Sequence, residues 1–276
     1  MSDELIKTDL SDGIYTLTFN RPEAMNAMTT AMGNRVRDAI ILASRDPDVR
    51  VLVITGEGRG FSAGGDIKNL GQVDPLDPLA VKHGNDPRWN DVEMRVQRLN
   101  ESAMVYYQLH AMPKPTIAMV NGPAIGAGMS PAIACDFRVM SDQAYFNCAY
   151  VNMGLSGDIG TAYYLTHVVG PAKAREMMLL PGKIGPEEAL RIGLVTRVVP
   201  HDELRDATME LARQLARGPT LTYGHIKENL QAAIEQDPRV AFDIEARNFM
   251  RCFQTEDHKE AVAAFKEKRK PVFKGR

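Results

Sequence analysis

Two glycine-rich loops and one isolated acid are the parts of this chain best suited to chemistry. The first loop, Gly56 to Gly65, follows an apolar β-branched run, and the second, Asn121-Gly122-Pro123-Ala124-Ile125-Gly126-Ala127-Gly128, follows another. Glycine-rich backbone approaches a ligand closely, and a helix start leaves its first amides unpaired, so each loop is suited to presenting N–H groups. If the amides of Gly65 and Ala127 converge, they form an oxyanion hole for the enolate of a carbonyl substrate. On the pattern alone, it is an equal expectation that these glycines only serve tight turns between strand and helix. Gly60-Phe61-Ser62-Ala63-Gly64 also matches the GxSxG elbow of serine hydrolases, with His167 downstream as a base. An elbow needs its serine on a tight strand-to-helix turn, and the stretch between Thr55 and Phe61 is too long and too rich in glycine for that. Gly126-Ala127-Gly128 resembles a dinucleotide fingerprint only in part, because Pro131 stands where the third glycine belongs. The histidines at 83, 110, 167, 201, 225 and 258 show no ligand spacing, so no metal is expected.

The elements that would carry these loops alternate. Asp12-Gly13 joins Ile6–Leu10 to the alternating Ile14–Phe19 as a hairpin; Met32, Val36, Ile40 and Ala43 then recur at helical spacing until Asp46-Pro47. Val49–Thr55 reads as a strand buried on both faces, and Asp66-Ile67-Lys68 as the opening turn of the next helix. A second unit repeats the design: strand Thr116–Val120, the second loop, a small-residue helix from Met129 to Cys135 and strand Phe137–Met140. This order is α/β. Gln72 to Arg88 holds Pro75, Pro78 and Pro87 among acidic residues and is expected to resist regular structure, as an exposed lid or insertion. Helices dominate after Gly185-Pro186, with a short strand at Val195–Val199. One helix is expected from Asp202 to Gly218-Pro219 with Leu204, Leu211 and Leu215 inward, and a helical stretch over Val240–Arg269 offers Phe242, Phe249, Phe253 and Phe265 for packing. A soft boundary is placed near residue 200, giving a core over 1–200 and a helical C-terminal region over 201–276.

Composition narrows the classes. The 276 residues carry 33 basic and 35 acidic side chains, a formal charge of −2, so no global field draws the chain to nucleic acid or an anionic membrane. Thr116–Cys135 is uncharged over nearly the length of a membrane span, but Asn121, Gly122, Pro123, Gly126, Gly128 and Pro131 interrupt it. The cysteines at 135, 148 and 252 are odd in number and widely spaced, which argues against a disulfide framework and fits a reducing cytoplasm. The acidic opening MSDELIKTDLSDG reads as neither a secretory signal nor a transit peptide.

From about Ile14 onward the sequence resembles the crotonase family, the enoyl-CoA hydratases and isomerases. Asn20-Arg21-Pro22-Glu23-Ala24-Met25-Asn26-Ala27 is similar to that family's NRP…NAL segment, Gly60–Lys68 to its F-x-A-G-x-D-[IL] loop, and Asn121–Gly128 to its N-G-x-A-x-G-x-G loop. The resemblance implies a four-turn ββα superhelix with a helical C-terminal region, an acyl-CoA thioester as substrate with no separate cofactor, and an oxyanion hole from the amides of Gly65 and Ala127. It makes Ala24, Ala63, Asp66, Ile67 and Lys68 candidates for contact with CoA. It also implies a homotrimer or hexamer in which Phe265 and Lys268 reach a neighbour's CoA, although an ordinary amphipathic helix reads almost the same.

The departures from the family bear on the chemistry. Where hydratases place two glutamates, this chain has Ser130 and Tyr150. Adding water across an alkene needs one group to activate the water and one to deliver a proton, and neither side chain has a suitable pKa unaided. Asp158 lies nearby in Gly154-Leu155-Ser156-Gly157-Asp158-Ile159-Gly160, a segment similar to the G-L-x-x-[DE]-x-G of the family's enoyl-CoA, dienoyl-CoA and ring-epoxide phenylacetyl-CoA isomerases. A lone acid suits isomerisation, since one base removes a proton at one carbon and returns it at another. Asp158 could also cap the following helix. Tyr150 is a candidate for orienting a ring substrate or bonding a carbonyl, and Ser130 for the acyl site. The resemblance thus favours an isomerase with Asp158 as base. A hydratase or lyase using Asp158 and Tyr150, an acyl-CoA hydrolase and a non-catalytic CoA-binding protein remain as alternatives.

Overall fold

A computed structural model describes residues 4–69 and 72–276; Met1 to Asp3, at the head of the acidic opening segment, lie outside it. The chain opens with β1 (Ile6–Ser11) and β2 (Ile14–Phe19), antiparallel with Ser11 opposite Ile14. Asp12 and Gly13 between them take φ of +52° and +76°, as a two-residue hairpin turn requires. Then come α1 (Thr30–Arg45), β3 (Val51–Gly56), α2 (Pro78–His83), α3 (Val92–His110), β4 (Thr116–Val120) and β5 (Ala124–Ile125). They are followed by α4 (Ser130–Ala134), β6 (Phe137–Ser141), β7 (Phe146–Asn147), α5 (Thr161–Leu179), α6 (Pro186–Arg191) and β8 (Arg197–Val199). The chain closes with α7 (Leu204–Ala216), α8 (Thr220–Glu235), α9 (Pro238–Phe253) and α10 (Glu256–Glu267).

The main sheet runs β1-β2-β3-β4-β6-β8, parallel from β2 onward. Parallel strands need crossovers, and each crossover makes a second, shorter extended contact on its way to the helix. Met28 bridges Gly65, Ser62 bridges Ala124, β5 pairs with β7, and Phe146 bridges Ile184. Each turn therefore gives one strand to the large sheet and a short piece to a small one before its helix. This is the ββα superhelix, with the helical C-terminal region following it.

The main sheet is buried on both faces, which is why β3 and β4 are apolar almost without a break. One face meets α1, whose Met32, Val36, Ile40 and Ala43 are buried, together with α3 and α4. Thr29 caps α1, its Oγ1 accepting from the Met32 amide at 3.2 Å. The other face, Ile14, Val51, Val53, Ile117 and Val139, is covered by Leu204, Ala212, Leu215 and Ala216 of α7. A 3-10 turn at His201–Glu203 leads into α7, so the helix begins two residues after the expected Asp202. The uncharged Thr116–Cys135 stretch resolves into β4, β5, a 3-10 turn and α4, and no helix among the described residues is long and apolar enough to cross a membrane.

The 72–88 expectation is corrected. Pro78 does not break structure there but occupies the first turn of α2, and Asp77 Oδ1 caps that helix by accepting from Leu79 and Ala80 amides at 3.0 and 3.3 Å. Asp91 caps α3 in the same way. Ile67–Asn69 forms a single 3-10 turn and not a full helix; Leu70 and Gly71 lie outside the described residues.

Candidate active site

The two loops are stitched together edge to edge. The amides of Phe61 and Ser62 both donate to the Pro123 carbonyl at 3.1 Å, and the Ile125 amide donates to the Ser62 carbonyl at 2.9 Å. Two buried asparagines fix the first loop from either side. Asn26 Nδ2 donates to the carbonyls of Glu57 and Gly60, while Asn121 Nδ2 donates to those of Gly58 and Gly60 and Asn121 Oδ1 accepts from the Gly56 amide. The asparagines of the two motifs are thus loop clamps.

This seam requires glycine. A Cβ on Gly64, whose φ is +90°, would lie 2.6 Å from the Ile125 carbonyl and 3.4 Å from the Ala127 nitrogen; one on Gly128 would lie 2.3 Å from the Ser62 carbonyl. Gly65 therefore follows directly on a residue packed against the Ala127 amide. Gly65 is exposed, and Ala127 sits in the first positions of the 3-10 turn Gly126–Met129, where amides have no partner within the turn. No hydrogen bond among the described residues uses the Gly65 N–H. The adjoining loops thus each offer an unpartnered amide, the kind of donor from which an oxyanion hole is built.

Ser62 is excluded as a nucleophile. It is fully buried, its Oγ donating to the Asn26 carbonyl at 2.9 Å and accepting from the Gly64 amide, while His167 bonds the Tyr163 carbonyl on exposed α5 surface. The GxSxG match therefore marks a loop clamp.

The Tyr150 ring lies between the second loop and the segment that carries Asp158, within 4.0 Å of a Cβ built on Gly126 and within 3.9 Å of one built on Gly157. Its hydroxyl donates to Asp158 Oδ1 at 2.8 Å and sits 2.8 Å from Thr161 Oγ1, which in turn lies 2.6 Å from Ser130 Oγ. Asp158 does not cap α5: the cap position is Gly160, and Asp158 instead accepts the Thr161 amide with its backbone carbonyl. The loop around it is conformationally expensive, with positive φ at Gly157, Gly160 and also Ile159, a β-branched residue at +40°. Burial pushes the Asp158 carboxyl above its ordinary range, opposed by the Tyr150 hydrogen bond. A raised carboxylate is better matched to abstracting a carbon-bound proton.

Tyr106 of α3 and Thr161 of α5 are the residues that sequence reasoning missed. Tyr106 is buried, and its phenol is pushed up by burial and then by the charge of Asp158. Thr161 stands three residues after Asp158, a spacing that gave a weak signal; Tyr106 gave none.

The candidates for CoA contact group on the other side of the first loop. The Ala63 amide donates to the Met25 carbonyl beside Ala24, and the Met28 amide to that of Gly64. Asp66 pairs with Arg21 at 2.9 Å; burial works against its charge, but hydrogen bonds from Asn69 and Arg21 hold the carboxyl below its ordinary value. Ile67 and Lys68 are exposed next to it. Phe265, at 86% the most exposed large apolar side chain, and Lys268, in a left-handed conformation closing α10, make no hydrogen bond or ring contact with these loops among the described residues.

The fold is shared with known proteins. A family model described as enoyl-CoA hydratase/isomerase matches residues 9–276. The chain is 38% identical to a "probable enoyl-CoA hydratase" of Mycobacterium bovis over 94% of this chain and 89% of that one. It is 34% identical to the 1,2-epoxyphenylacetyl-CoA isomerase of Escherichia coli over 99% of both. The crystal structure of an enoyl-CoA hydratase from Polaromonas sp. superposes with a TM-score of 0.84 at 29% identity, over 97% of this chain and 99% of that one. Superhelix, paired glycine loops and full-length relatives agree: the chain belongs to the enoyl-CoA hydratase/isomerase family, the crotonases, and is an enzyme of that family.

Proposed function

We infer that the protein isomerises an acyl-CoA through a thioester enolate, with Asp158 as the single base. Asp158 takes a proton from the α-carbon, the C–H electron pair moves into the enolate, and the amides of Gly65 and Ala127 hold the negative oxygen. The same proton, or one exchanged with solvent, is returned at a second carbon, so the product is an isomer and needs no cofactor beyond the CoA that the substrate carries. The observation that carries this reading is what occupies the two positions of the hydratase glutamates. Ser130 is sealed against Thr161 and the Tyr150 hydroxyl is bonded to Asp158, so Asp158 is the acid that remains. The similarity to a 1,2-epoxyphenylacetyl-CoA isomerase supports it.

The 2.8 Å bond between Tyr150 and Asp158 also favours a second reading, a hydratase that activates water through that pair. The ratio of two rates separates them. With a β,γ-unsaturated acyl-CoA and crotonyl-CoA as paired substrates, conversion of the first to its conjugated isomer is expected to outrun hydration of the second by well over an order of magnitude. Hydration as fast as isomerisation would favour the hydratase.

The reading extends to assembly. Phe242, Phe249, Met250, Phe253 and Phe265 are exposed along α9 and α10, and clustered exposed apolar side chains mark protein–protein contacts. A trimer or hexamer is expected by light scattering, with Phe265 and Lys268 beside a neighbour's CoA; a monomer at micromolar concentration would remove both from any site.

A further inference from the structure

The hydroxyls around Asp158 admit one hydrogen-bond direction only. Tyr150 has a single proton, and it goes to Asp158 Oδ1. The short contact between Tyr150 and Thr161 then requires the Thr161 hydroxyl to donate, which leaves Thr161 Oγ1 to accept from Ser130 across 2.6 Å. Ser130 and Thr161 are wholly buried and Tyr150 nearly so, so the links are shielded from bulk water. Every dipole in the row points its positive end toward the carboxylate, and such aligned chains strengthen one another.

We propose that Ser130, Thr161 and Tyr150 form a one-way hydroxyl relay that pins Oδ1 of Asp158 and leaves Oδ2 as the atom that exchanges protons with the substrate. This rests on the reading of Asp158 as the base. Tyr150 and Thr161 are positioning residues under this assignment, acting through Asp158, and the Tyr150 hydroxyl is not a substrate contact. The relay also accounts for the serine in place of a hydratase glutamate: a second carboxylate at that point would have no proton to give Thr161. It offsets part of the cost of burying a charge, which would otherwise drive the carboxyl to its inactive protonated form. Tyr150 bonds the carboxylate, the buried phenol of Tyr106 on α3 feels its charge, and the Cys148 thiol, pushed by burial up to about 11, acts on Tyr150. No cation acts on Asp158 among the described residues.

The test is the acid limb of kcat/KM against pH, measured beside the carboxyl titration of Asp158 by 13C NMR, its signal assigned with Asp158→Asn. Removing a donor that favours the charged form raises the pKa, so Tyr150→Phe is expected to move both the acid limb and the titration upward by about one pH unit. Thr161→Val is expected to move them the same way by about half as much. Thr161→Ser should restore them, which a purely structural role for the methyl group would not allow. Unmoved values in Tyr150→Phe, or in Thr161→Val if the first variant does not fold, overturn the relay. The two readouts keep the failures apart: full turnover in Asp158→Asn would refute the base, whereas the NMR titration reports on the relay whether or not Asp158 is catalytic.

Discussion

Asp158→Asn is expected to lower kcat by about 10²–10⁴, the usual contribution of a positioned general base, while binding of the CoA thioester stays nearly intact. The amide keeps the size of the carboxyl and still accepts from Tyr150 through its oxygen, so the 2.8 Å contact and the strained loop at Ile159 have no reason to rearrange. What is lost is the lone pair that takes the proton. The residues proposed to contact CoA, Ala24, Ala63 and Asp66, are not among the hydrogen-bond partners of Asp158, so KM should move little. Single-turnover kinetics with a β,γ-unsaturated acyl-CoA check this, and retention of more than about a tenth of the wild-type kcat would show that another group removes the proton. Because burial raises the pKa of Asp158, the wild-type rate should fall with acidification at a pH above that of an ordinary carboxylate. The sign follows from the carboxylate being the active form and being protonated as pH falls through the raised pKa.

The second large effect is expected from Gly64→Ala. The new methyl would meet the Ile125 carbonyl at 2.6 Å on a backbone whose φ of +90° already excludes it, and the seam must open. If the amides of Gly65 and Ala127 form the proposed oxyanion hole, opening the seam separates them, and loss of one such donor costs about 10²–10³ in kcat. Gly193→Ala is the control. Gly193 has φ of +72° with nothing within 4 Å of its Cβ, so the substitution carries similar backbone strain without displacing a loop. Both variants should melt at lower temperature, but only Gly64→Ala should lose kcat. Equal activity in the two would remove the seam from the mechanism.

Where local chemistry determined local structure, the sequence was readable. The Asp12-Gly13 hairpin, the helical recurrence of Met32, Val36, Ile40 and Ala43 in α1 and the uninterrupted apolar runs of β3 and β4 each follow from a few neighbouring residues. The segment after residue 72 was misread because proline is a breaker inside a helix and an initiator at its first turn, and the difference lies in the preceding Asp77. The loops were legible as glycine patterns, but not the clamps that Asn26 and Asn121 provide, since their partners are backbone carbonyls brought near only by the parallel crossover. Tyr106 was invisible, and Thr161 only weakly signalled, for a related reason. Tyr106 feels the charge of Asp158 from α3, which is distant in sequence, and Thr161 follows Gly160, which starts α5 in a left-handed conformation. Tyr150 was identified as a site residue, yet its partners were not, because a phenol in sequence does not say where its proton goes.

The central claim is that this enzyme makes an enolate with one carboxylate. It is tested most directly by incubating a β,γ-unsaturated acyl-CoA with wild-type protein and with Asp158→Asn in D₂O, following product mass and deuterium position. The conjugated isomer is expected from the wild type, with deuterium entering at the carbons between which the proton moves, and neither isomer nor deuterium at a comparable rate from Asp158→Asn. A hydrated product without exchange into recovered substrate, or undiminished exchange in Asp158→Asn, would contradict it.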